Sequence, residues 1–569
     1  MKVVIIGGVA GGASAAARLR RLNEKAEIIL LERGPHISYA NCGLPYYVGG
    51  EITDQEDLTL QTPESFHGRF HVDVRVLHEA VAIDKENRIV TVKNHQDGST
   101  YQETYDDLIL SPGAEPVVPP LPGKDDPRVF TLRTVPDALR IRAFVEEKKP
   151  RKAVVVGGGA IGMEMAENLI AAGLDVTVVE LSDHVIAPLD FDMASEVHRY
   201  ARKKGLNLCL GKGVKAIEPE KEGLRVLVEG DSLPADMVLL SVGVRPESQL
   251  AREAGIALSP KGAILVDETM HTSDPHIYAV GDAVQVTNYI SGQPAFLPLA
   301  GPANKQGRIA ADNICGLKSV YKGTQGALVL KLFDMTVAAT GLNETAAKAA
   351  DIPYEKVYTY GASHATYYPG ATNQCIKLLY APGDGKVLGA QIVGFQGVDK
   401  RCDVINTAIR AGMTVHDLSE LELCYAPPFS SAKDPVNMCG FMAENLLTGK
   451  VRQFHWHDVD ALPRDGSVTL LDVRTDEEYQ KGHIEGTVWI PLDDLRDHLD
   501  EIDSSKPVYV NCHSGLRSYI ACRILTQNGF EAFNLAGGYR LYASVKNELA
   551  YSEKATHPCG IPIGQKKQA

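Results

Sequence analysis

Short apolar runs and glycine-rich turns alternate along the first forty residues. Residues 3–6 read VVII, which predicts a buried strand, and the turn GGVAGG follows. The stretch ASAAARLRRL predicts a helix, and AEIILLE predicts a second strand that ends at Glu32. This order is typical of a dinucleotide-binding unit, because the glycines admit a pyrophosphate and the helix N-terminus offers free N–H groups. Gly7 and Gly12 fit the motif, whereas Val9 occupies its middle glycine position, so a generic buried βαβ unit is the alternative.

The same pattern recurs at AVVVGGGAIGMEMAENLIAAGLDVTVVE, where Gly157, Gly159 and Gly162 complete the spacing G-x-G-x-x-G. Glu180 closes the second strand of this unit. A carboxylate there accepts from an unphosphorylated ribose and repels a 2′-phosphate, and no Arg or Lys follows in LSDHVIAP. The sequence therefore favours NADH, although one acidic residue leaves use of NADPH open.

Composition narrows the class of protein. A chain of 569 residues predicts about three to five domains. Its net charge of −14 argues against nucleic acid or an anionic membrane as a general partner. The N-terminal apolar run is too short for a signal peptide, and no stretch reaches the roughly 18 apolar residues of a membrane helix. The ten cysteines form no C-x-x-C pair, which favours a reducing cytoplasm.

The segment TSDPHIYAVGDAV, residues 272–284, resembles the second FAD motif of the pyridine nucleotide-disulfide oxidoreductase family. That family inserts its NAD domain into its FAD domain, and the order of the two glycine turns and this segment agrees. The connecting segments LILSPGAEP and MVLLSVGVRP also match. The resemblance implies an α/β fold with two nested Rossmann-like domains, a dimerisation domain and a homodimer. The FAD residues that it implies are Gly7, Gly12, Glu32, Arg33, Gly281 and Asp282, the last on the flavin's ribityl chain.

The stretch SYANCGLPYY, residues 38–47, contains a single cysteine, Cys42. The disulfide reductases of the family place two cysteines four residues apart here, whereas this chain has Tyr46 at the second position. A lone cysteine cannot store electrons as an internal disulfide, so it bonds to an external thiol or to oxygen. The stretch resembles the single-cysteine branch of the family, which contains CoA-disulfide reductases, NADH oxidases, NADH peroxidases and persulfide reductases. Val9 is usual in that branch.

Several further residues favour CoA as the thiol partner. By resemblance, Tyr367 in HATYYPG and Tyr425 in LCYAPPFSSAKDP lie near the cysteine across the dimer interface, where phenols can protonate a leaving thiolate. Guanidinium groups suit phosphates because their donors are planar and paired. A solvated helix face is the alternative for the arginines. The residues implied to contact CoA are Ser14, Arg18, Arg21, Ser38, Asn41, Lys305 and Lys433.

The C-terminal region resembles the rhodanese domain in two stretches, VTLLDVRTDEEYQKGHIEGTVWIP and PVYVNCHSGLRSYIACRIL. Cys512 heads a loop that ends at Arg517. Its backbone N–H groups, the following helix N-terminus and Arg517 all favour a thiolate that accepts sulfur as a persulfide. A related phosphatase loop is the alternative, but it has five residues between cysteine and arginine, and here there are four.

The remaining cysteines within the folded domains are assigned to packing. They are Cys209, Cys315, Cys375, Cys402, Cys424, Cys439 and Cys522. His455 and His457 lack partner ligands, so we expect no metal site.

These observations predict six segments of the chain: an FAD domain (1–112 and 241–322), an NAD(P)H domain (113–240), a dimerisation domain (325–448), a linker (449–457), a rhodanese domain (458–550) and a tail (551–569) that contains Cys559.

Together they predict an FAD-dependent NAD(P)H reductase of sulfur–sulfur bonds in CoA persulfide, polysulfide or CoA disulfide. NADH reduces FAD, FADH2 reduces a mixed disulfide between Cys42 and CoA, and Cys512 handles sulfane sulfur. Two alternatives stay open: an NADH oxidase or peroxidase in which Cys42 forms a sulfenic acid, and a persulfide carrier or sensor.

Overall fold

A computed structural model describes residues 1–551, so Cys559 lies outside the described residues. The chain divides into two compact units, residues 1–179 with 213–326, and residues 180–212 with the chain from 327 onward. The segment 180–212 therefore groups with the second unit, whereas the sequence predicts it within the NAD(P)H domain. Within residues 1–551, no helix is long and apolar enough to cross a membrane.

The first unit is built on two parallel sheets. The strands of the first sheet, in spatial order, are Ile277–Ala279, Asp107–Leu110, Lys2–Ile6, Glu27–Glu32 and Asp73–Val76. Its first strand comes from the far end of the unit in sequence, which agrees with the predicted nesting. Val3 and Ile5 of the central strand pack into one apolar cluster and Val4 and Ile6 into another. Both faces of this sheet are therefore covered, as parallel sheets require.

The second sheet carries the complete glycine motif. Four of its strands pair in parallel in the order Asp175–Glu180, Lys152–Val156, Met237–Leu240 and Val129–Phe130. The helix Ala160–Ala171 follows the strand Lys152–Val156 through the glycine turn. The other helices of this unit are Ala10–Leu22, Leu44–Val48, Pro63–Phe70, Val135–Lys148, Gln249–Glu253 and Ala300–Ile314.

Smaller sheets complete the first unit. Two of them are antiparallel and three-stranded, with strands His78–Asp84, Ile89–Asn94 and Thr100–Thr104, and Val214–Pro219, Leu224–Val228 and Asp231–Ala235. The remaining short strands are Ala114–Pro116 paired with Val244–Pro246, and Ile264–Leu265, Val284–Thr287 and Pro294–Ala295.

The second unit contains an antiparallel sheet with its strands in the order Leu328–Leu332, Met335–Gly341, Val387–Gly394, Asn373–Tyr380 and Glu355–Ala362. It also contains the strand Asn207–Leu210 and the helices Phe191–Lys203, Glu344–Ala349, Val398–Ala411, Val415–Glu420 and Pro435–Leu447.

A parallel sheet forms the C-terminal part of the second unit. Its strands run in the order Arg452–Phe454, Ala532–Leu535, Val508–Asn511, Thr469–Asp472 and Val488–Trp489, with helices Asp476–Gln480, Leu516–Gln527 and Gly538–Leu549. The strand Arg452–Phe454 lies inside the predicted linker 449–457, yet it pairs with Ala532–Leu535. The linker prediction is therefore wrong at this point, and the C-terminal sheet begins before residue 458.

Candidate active site

The first glycine turn is tightly constrained. Gly7 has φ +99°, and a Cβ on it would lie 2.0 Å from the Ser111 carbonyl oxygen. A Cβ on Gly12 would lie 1.9 Å from the Gly7 carbonyl oxygen. Glu32 closes the turn, because its carboxylate accepts from the Gly8 N–H at 2.9 Å and from the Gly34 N–H at 2.8 Å. The glycines at positions 7 and 12 are thus required by the backbone itself.

Asp282 lies half-buried in the single turn Gly281–Ala283, directly after the strand Ile277–Ala279. Burial raises the pKa of its carboxyl group. The neighbouring Gly281 N–H donates to Gln306 at 2.7 Å, whereas no described residue donates a hydrogen bond to the Asp282 carboxylate. A half-buried acceptor of this kind fits a ligand that carries hydroxyl groups, so the site fits the ribityl chain of FAD.

Arg33 is committed to ion pairs within the first unit. Its guanidinium lies 2.9 Å from Glu247 and 3.5 Å from Glu115. The two carboxylates hold the Arg33 guanidinium in place. The predicted contact of Arg33 with FAD stays a prediction.

The three glycines of the second glycine turn differ in how closely other atoms approach them. A Cβ on Gly157 would lie 2.2 Å from the Ser241 carbonyl oxygen, and a Cβ on Gly162 would lie 2.0 Å from the Gly157 carbonyl oxygen. A Cβ on Gly159 would meet no described atom within 4 Å. Packing therefore requires the first and third glycines, and the second leaves room for a diphosphate. Glu180 ends the strand Asp175–Glu180, and its carboxylate accepts from the Ser182 N–H at 2.8 Å.

Cys42 lies exposed in the single turn Asn41–Gly43, just before the helix Leu44–Val48. The segment that carries it is held by Ser38, which has φ +43°, an uncommon conformation for a residue with a side chain. The Ser38 N–H donates to the Gly8 carbonyl at 2.8 Å, and its carbonyl accepts from the Leu60 N–H at 3.2 Å. These bonds tie the cysteine segment to the first glycine turn, and strain of this kind is common at functional sites.

Tyr46 occupies the position of the absent second cysteine. Its hydroxyl donates to Glu164 at 3.2 Å, and Glu164 belongs to the helix Ala160–Ala171 that follows the second glycine turn. Burial raises the pKa of Glu164, and burial together with the charges of Glu164 and Asp282 raises the pKa of the Cys42 thiol. The protein's own groups thus favour the thiol form of Cys42. Sequence reasoning missed Glu164, whose only signal was its place two residues after Gly162.

The residues predicted to bind CoA phosphates differ in whether their side chains already have hydrogen-bond or ion-pair partners within the protein. Ser14 and Arg18 lie one turn apart on the helix Ala10–Leu22, where the Ser14 hydroxyl bonds to Asn304 and the Arg18 Nε donates to Asp312 at 2.6 Å. Arg21 and Lys305 are exposed and form no ion pair with any residue that the structure describes. The structure therefore leaves two unpaired cations on this surface, and Arg18 keeps the terminal N–H groups of its guanidinium for a ligand.

The two predicted tyrosines come together in the second unit. The Tyr367 and Tyr425 hydroxyl oxygens lie 2.8 Å apart, and both side chains are exposed. One hydroxyl can donate to the other, which leaves the second proton available to a ligand. Tyr368 takes no part in this pair, since its ring packs edge-on against His364. Lys433 is exposed.

The cysteines assigned to packing are not all buried. Cys375, Cys402, Cys439 and Cys522 are buried, whereas Cys209 and Cys315 are half-buried. Cys424 is exposed beside Tyr425, so its assignment to packing is wrong.

Cys512 lies at the end of the strand Val508–Asn511 and is 1% exposed. Its Sγ accepts from the Gly515 N–H at 3.1 Å and from the Ser518 hydroxyl at 3.2 Å. Gly515 has φ +99° and directly precedes the helix Leu516–Gln527. These two donors point at the sulfur and suit a thiolate or persulfide. The role of Ser518 was missed from sequence because it lies one residue beyond the loop.

Arg517 differs from its expected arrangement. Its guanidinium donates to both carboxylate oxygens of Glu478, each at 2.7 Å. The hydrogen bond from Arg517 lowers the pKa of Glu478 to about 2. The charge of Arg517 is thus directed at Glu478, and the direct contacts to Cys512 come from Gly515 and Ser518.

Three family matches agree with this geometry. Residues 1–307 match the pyridine nucleotide-disulphide oxidoreductase family, residues 329–435 match the dimerisation domain of that family, and residues 455–544 match the rhodanese-like domain. The chain therefore belongs to the pyridine nucleotide-disulphide oxidoreductase family, which is FAD- and NAD(P)-dependent, and carries a rhodanese-like domain at its C-terminal end. The predicted family, α/β fold class and redox cofactors are confirmed.

Individual relatives sharpen the comparison. An NADH oxidase from Methanocaldococcus jannaschii is 36% identical over 451 residues, which are 79% of this chain and 100% of the relative. A coenzyme A disulfide reductase from Staphylococcus haemolyticus is 35% identical over 446 residues, 78% of this chain and 100% of the relative.

Two similar solved structures also extend over the C-terminal domain. The structure of reduced Bacillus anthracis CoADR-RHD is 50% identical with a TM-score of 0.94, and the match covers 96% of this chain and 98% of the other. The NAD-dependent persulfide reductase from A. fulgidus is 38% identical with a TM-score of 0.89, and the match covers 95% and 100%.

Proposed function

We propose that this protein is an FAD-dependent NAD(P)H reductase of sulfur–sulfur bonds that acts on CoA persulfide, polysulfide or CoA disulfide. The observation that carries the proposal is the presence of two unlike sulfur centres on one chain. Cys42 is exposed with Tyr46 in place of a second cysteine, and Cys512 is buried under two hydrogen-bond donors. The first suits a bond to an external thiol, and the second suits storage of a single sulfur atom.

Two separate sets of residues would bind the two cofactors. The turn from Gly7 to Gly12, Glu32 and Asp282 would hold FAD, and Gly157, Gly159, Gly162 and Glu180 would hold NADH. FAD, when bound, supplies hydride acceptance from NADH and two-electron reduction of a sulfur–sulfur bond. Glu180 favours the unphosphorylated ribose of NADH, because its carboxylate repels a 2′-phosphate.

Cys42 acts as the nucleophile. Its thiolate attacks the CoA-side sulfur of CoA–S–SH, the mixed disulfide with CoA forms, and HS⁻ leaves with the electron pair of the broken bond. Because burial and the nearby carboxylates raise the pKa of the Cys42 thiol, binding of CoA at Arg18, Arg21 and Lys305 has to place the substrate close enough for the minor thiolate form to react.

The tyrosine pair holds the proton that the leaving group takes up. In the proposed homodimer, Tyr367 and Tyr425 of one subunit face Cys42 of the other, with Lys433 toward the CoA phosphates and Ser38 and Asn41 at the thiol end. The dimerisation domain supports this arrangement. Dependence on reduced thiols is consistent with a cytoplasmic site of action.

An NADH oxidase or peroxidase is the second candidate function, because a relative 36% identical to this chain is an NADH oxidase. In that case Cys42 would cycle through a sulfenic acid with oxygen or peroxide as the acceptor. Its exposure is compatible with either acceptor.

NADH consumption at matched acceptor concentrations separates the two functions. We expect turnover with CoA persulfide, polysulfide or CoA disulfide to exceed turnover with peroxide or oxygen. Cys42→Ser should abolish it, whereas the matched control Cys209→Ser should retain it. Faster turnover with peroxide than with every sulfur acceptor would establish the peroxidase instead.

A further inference from the structure

Three arginines near the loop from Cys512 to Arg517 form ion pairs with carboxylates. Arg540 belongs to this group because its backbone N–H donates to the His513 carbonyl at 2.9 Å, and Arg474 belongs to it because its guanidinium donates to the Glu478 carbonyl at 3.1 Å. The pairs are Arg517 with Glu478 at 2.7 Å, Arg474 with Asp472 at 2.7 Å, and Arg540 with Glu196 at 3.4 Å. Arg517 and Arg474 are thus each paired with one carboxylate, whereas Arg540 shares Glu196 with Arg199, which lies 2.8 Å from that carboxylate. The charge of Arg517, the arginine of the loop itself, is therefore balanced.

The pair of Arg517 and Glu478, at the start of the helix Leu516–Gln527, is fixed from several sides. Glu478 receives two hydrogen bonds from Arg517 and two more from Thr475, whose N–H and hydroxyl both donate at 3.1 Å. The carboxylate is therefore held in one orientation against the guanidinium. His513, the remaining titratable side chain in the loop, has its pKa lowered by burial and adds no positive charge near neutral pH.

This charge balance bears on which sulfur donors Cys512 can accept. Thiosulfate carries two negative charges, and its sulfonate end needs an unpaired cation when it leaves water. An organic persulfide, R–S–SH, brings at most one charge at its sulfur–sulfur group, and any other charge lies further along R. The Gly515 N–H and the Ser518 hydroxyl, which donate to the Cys512 Sγ, are placed to stabilise the attacking sulfur. The loop also exposes an apolar side chain, since Leu516 is 57% exposed and Ile520 lies one turn further on the same helix. These side chains suit the carbon chain of an organic donor.

We propose that Glu478 sets the donor specificity of Cys512, which takes sulfane sulfur from organic persulfides and rejects thiosulfate because Arg517 is neutralised. In the transfer, the Cys512 thiolate attacks the terminal sulfur of R–S–SH. A Cys512–S–SH persulfide forms, the donor's sulfur–sulfur bond breaks, and R–S⁻ leaves with the electron pair. The inference rests on the sulfur-handling role proposed above for this domain.

The test is single-turnover loading of Cys512 in the full-length protein, with glutathione persulfide and thiosulfate as the probes and peptide mass spectrometry as the readout. The wild-type protein should load from glutathione persulfide at least about 100-fold faster than from thiosulfate. In Glu478→Gln, Arg517 loses its charged partner, so the preference for the persulfide should fall by at least about tenfold.

Glu477→Gln is the matched control, because it removes the same charge one residue away. Glu477 pairs with Lys481 at 2.6 Å and not with Arg517. It should keep the wild-type preference. The proposal is overturned when the wild-type protein loads from both donors within about threefold, a result that needs no variant to fold. An unchanged preference in a folded Glu478→Gln protein overturns it as well.

NADH-dependent reduction of CoA persulfide, polysulfide and CoA disulfide is measured in the same wild-type preparations. Absence of that activity with an intact donor preference would contradict the proposed reductase and leave the role of Glu478 standing. The two failures are therefore distinguishable.

Discussion

At the scale of the residue, the two sulfur centres differ in what surrounds them. Cys42 is exposed as a residue, and partial burial of its thiol, together with the carboxylates of Glu164 and Asp282, raises the pKa of that thiol. Cys512 is buried and receives hydrogen bonds from Gly515 and Ser518. An exposed thiol suits a bulky partner such as CoA, and an enclosed one suits a single sulfur atom. The chain thus separates substrate reduction from sulfur storage through local environment.

Tyr425→Phe tests the proton-donating pair. The substitution removes one of two hydroxyls that lie 2.8 Å apart, so Tyr367 retains part of the function. We expect kcat for CoA persulfide to fall by about 10- to 100-fold. This loss is at or below the low end of the roughly 10²- to 10⁴-fold that a general acid contributes, because Tyr367 remains. Steady-state NADH consumption measures the effect.

Tyr368→Phe is the control for that variant, since Tyr368 neighbours Tyr367 but packs against His364. It should keep kcat within about twofold of the wild type, because no catalytic hydroxyl is lost. Equal losses in the two variants would contradict a specific role for the pair.

At the scale of the element, the helix Phe191–Lys203 packs against the helix Gly538–Leu549 through polar contacts. Glu548 accepts from Arg202 at 2.5 and 2.9 Å and lies 3.1 Å from His198 Nδ1. His198 Nε2 accepts from the Val185 N–H, and burial lowers the pKa of this imidazole, so it is neutral. The segment 180–212 is held to the C-terminal domain by this cluster.

These contacts give a defined pH dependence. His198 and Arg202 lower the pKa of Glu548 from 4.5 to about 2, although burial acts in the opposite direction. A depressed carboxyl pKa stabilises the fold above the unfolded value and loses that contribution as pH falls through the folded value. The contribution is about 3 kcal/mol above pH 5 and disappears progressively between about pH 4.5 and 2.

Glu548→Gln should therefore lower the melting temperature of the second unit at pH 7 and lower it progressively less as the pH falls below about 4.5. Differential scanning calorimetry of the variant and the wild type across this range measures the difference. A difference that stays constant from pH 7 to pH 3 would exclude the ionised Glu548 as its source.

The glycine turns, their strands and the rhodanese-like loop were predictable because short, local patterns specify them. At Gly157 and Gly162, backbone oxygens lie too close to admit a side chain, and any turn of this shape would require glycine at the same positions. The partners of Tyr46 and Arg517 were not predictable, because Glu164 and Glu478 lie 118 and 39 residues away in sequence. The strand Arg452–Phe454 was missed because its sequence, RQF, is short and polar and pairing alone stabilises it.

At the scale of the whole molecule, the proposed function has two subunits at each reductase site. The match to the dimerisation domain of the family supports the proposal that the tyrosine pair of one subunit serves Cys42 of the other. An otherwise acidic chain of net charge −14 also keeps unpaired Arg21 and Lys305 on the surface predicted to bind CoA. Charged recognition of this kind weakens as salt rises.

Mixed dimers test the shared site. Purified heterodimers of Cys42→Ser and Tyr425→Phe subunits contain one site with both changes and one with neither when the tyrosines act across the interface. We expect about half of the wild-type turnover per dimer. Turnover no greater than half that of the Tyr425→Phe homodimer would assign the tyrosines to the same subunit as Cys42.

The most direct test of the central claim is the mass of Cys42 itself. Intact mass spectrometry of the purified protein after incubation with CoA disulfide, followed by peptide mapping, shows what the cysteine binds. The account predicts an adduct of the mass of CoA that maps to Cys42 and that dithiothreitol removes. An unmodified Cys42 after incubation with CoA disulfide would contradict the proposal that an external CoA thiol takes the place of the missing second cysteine.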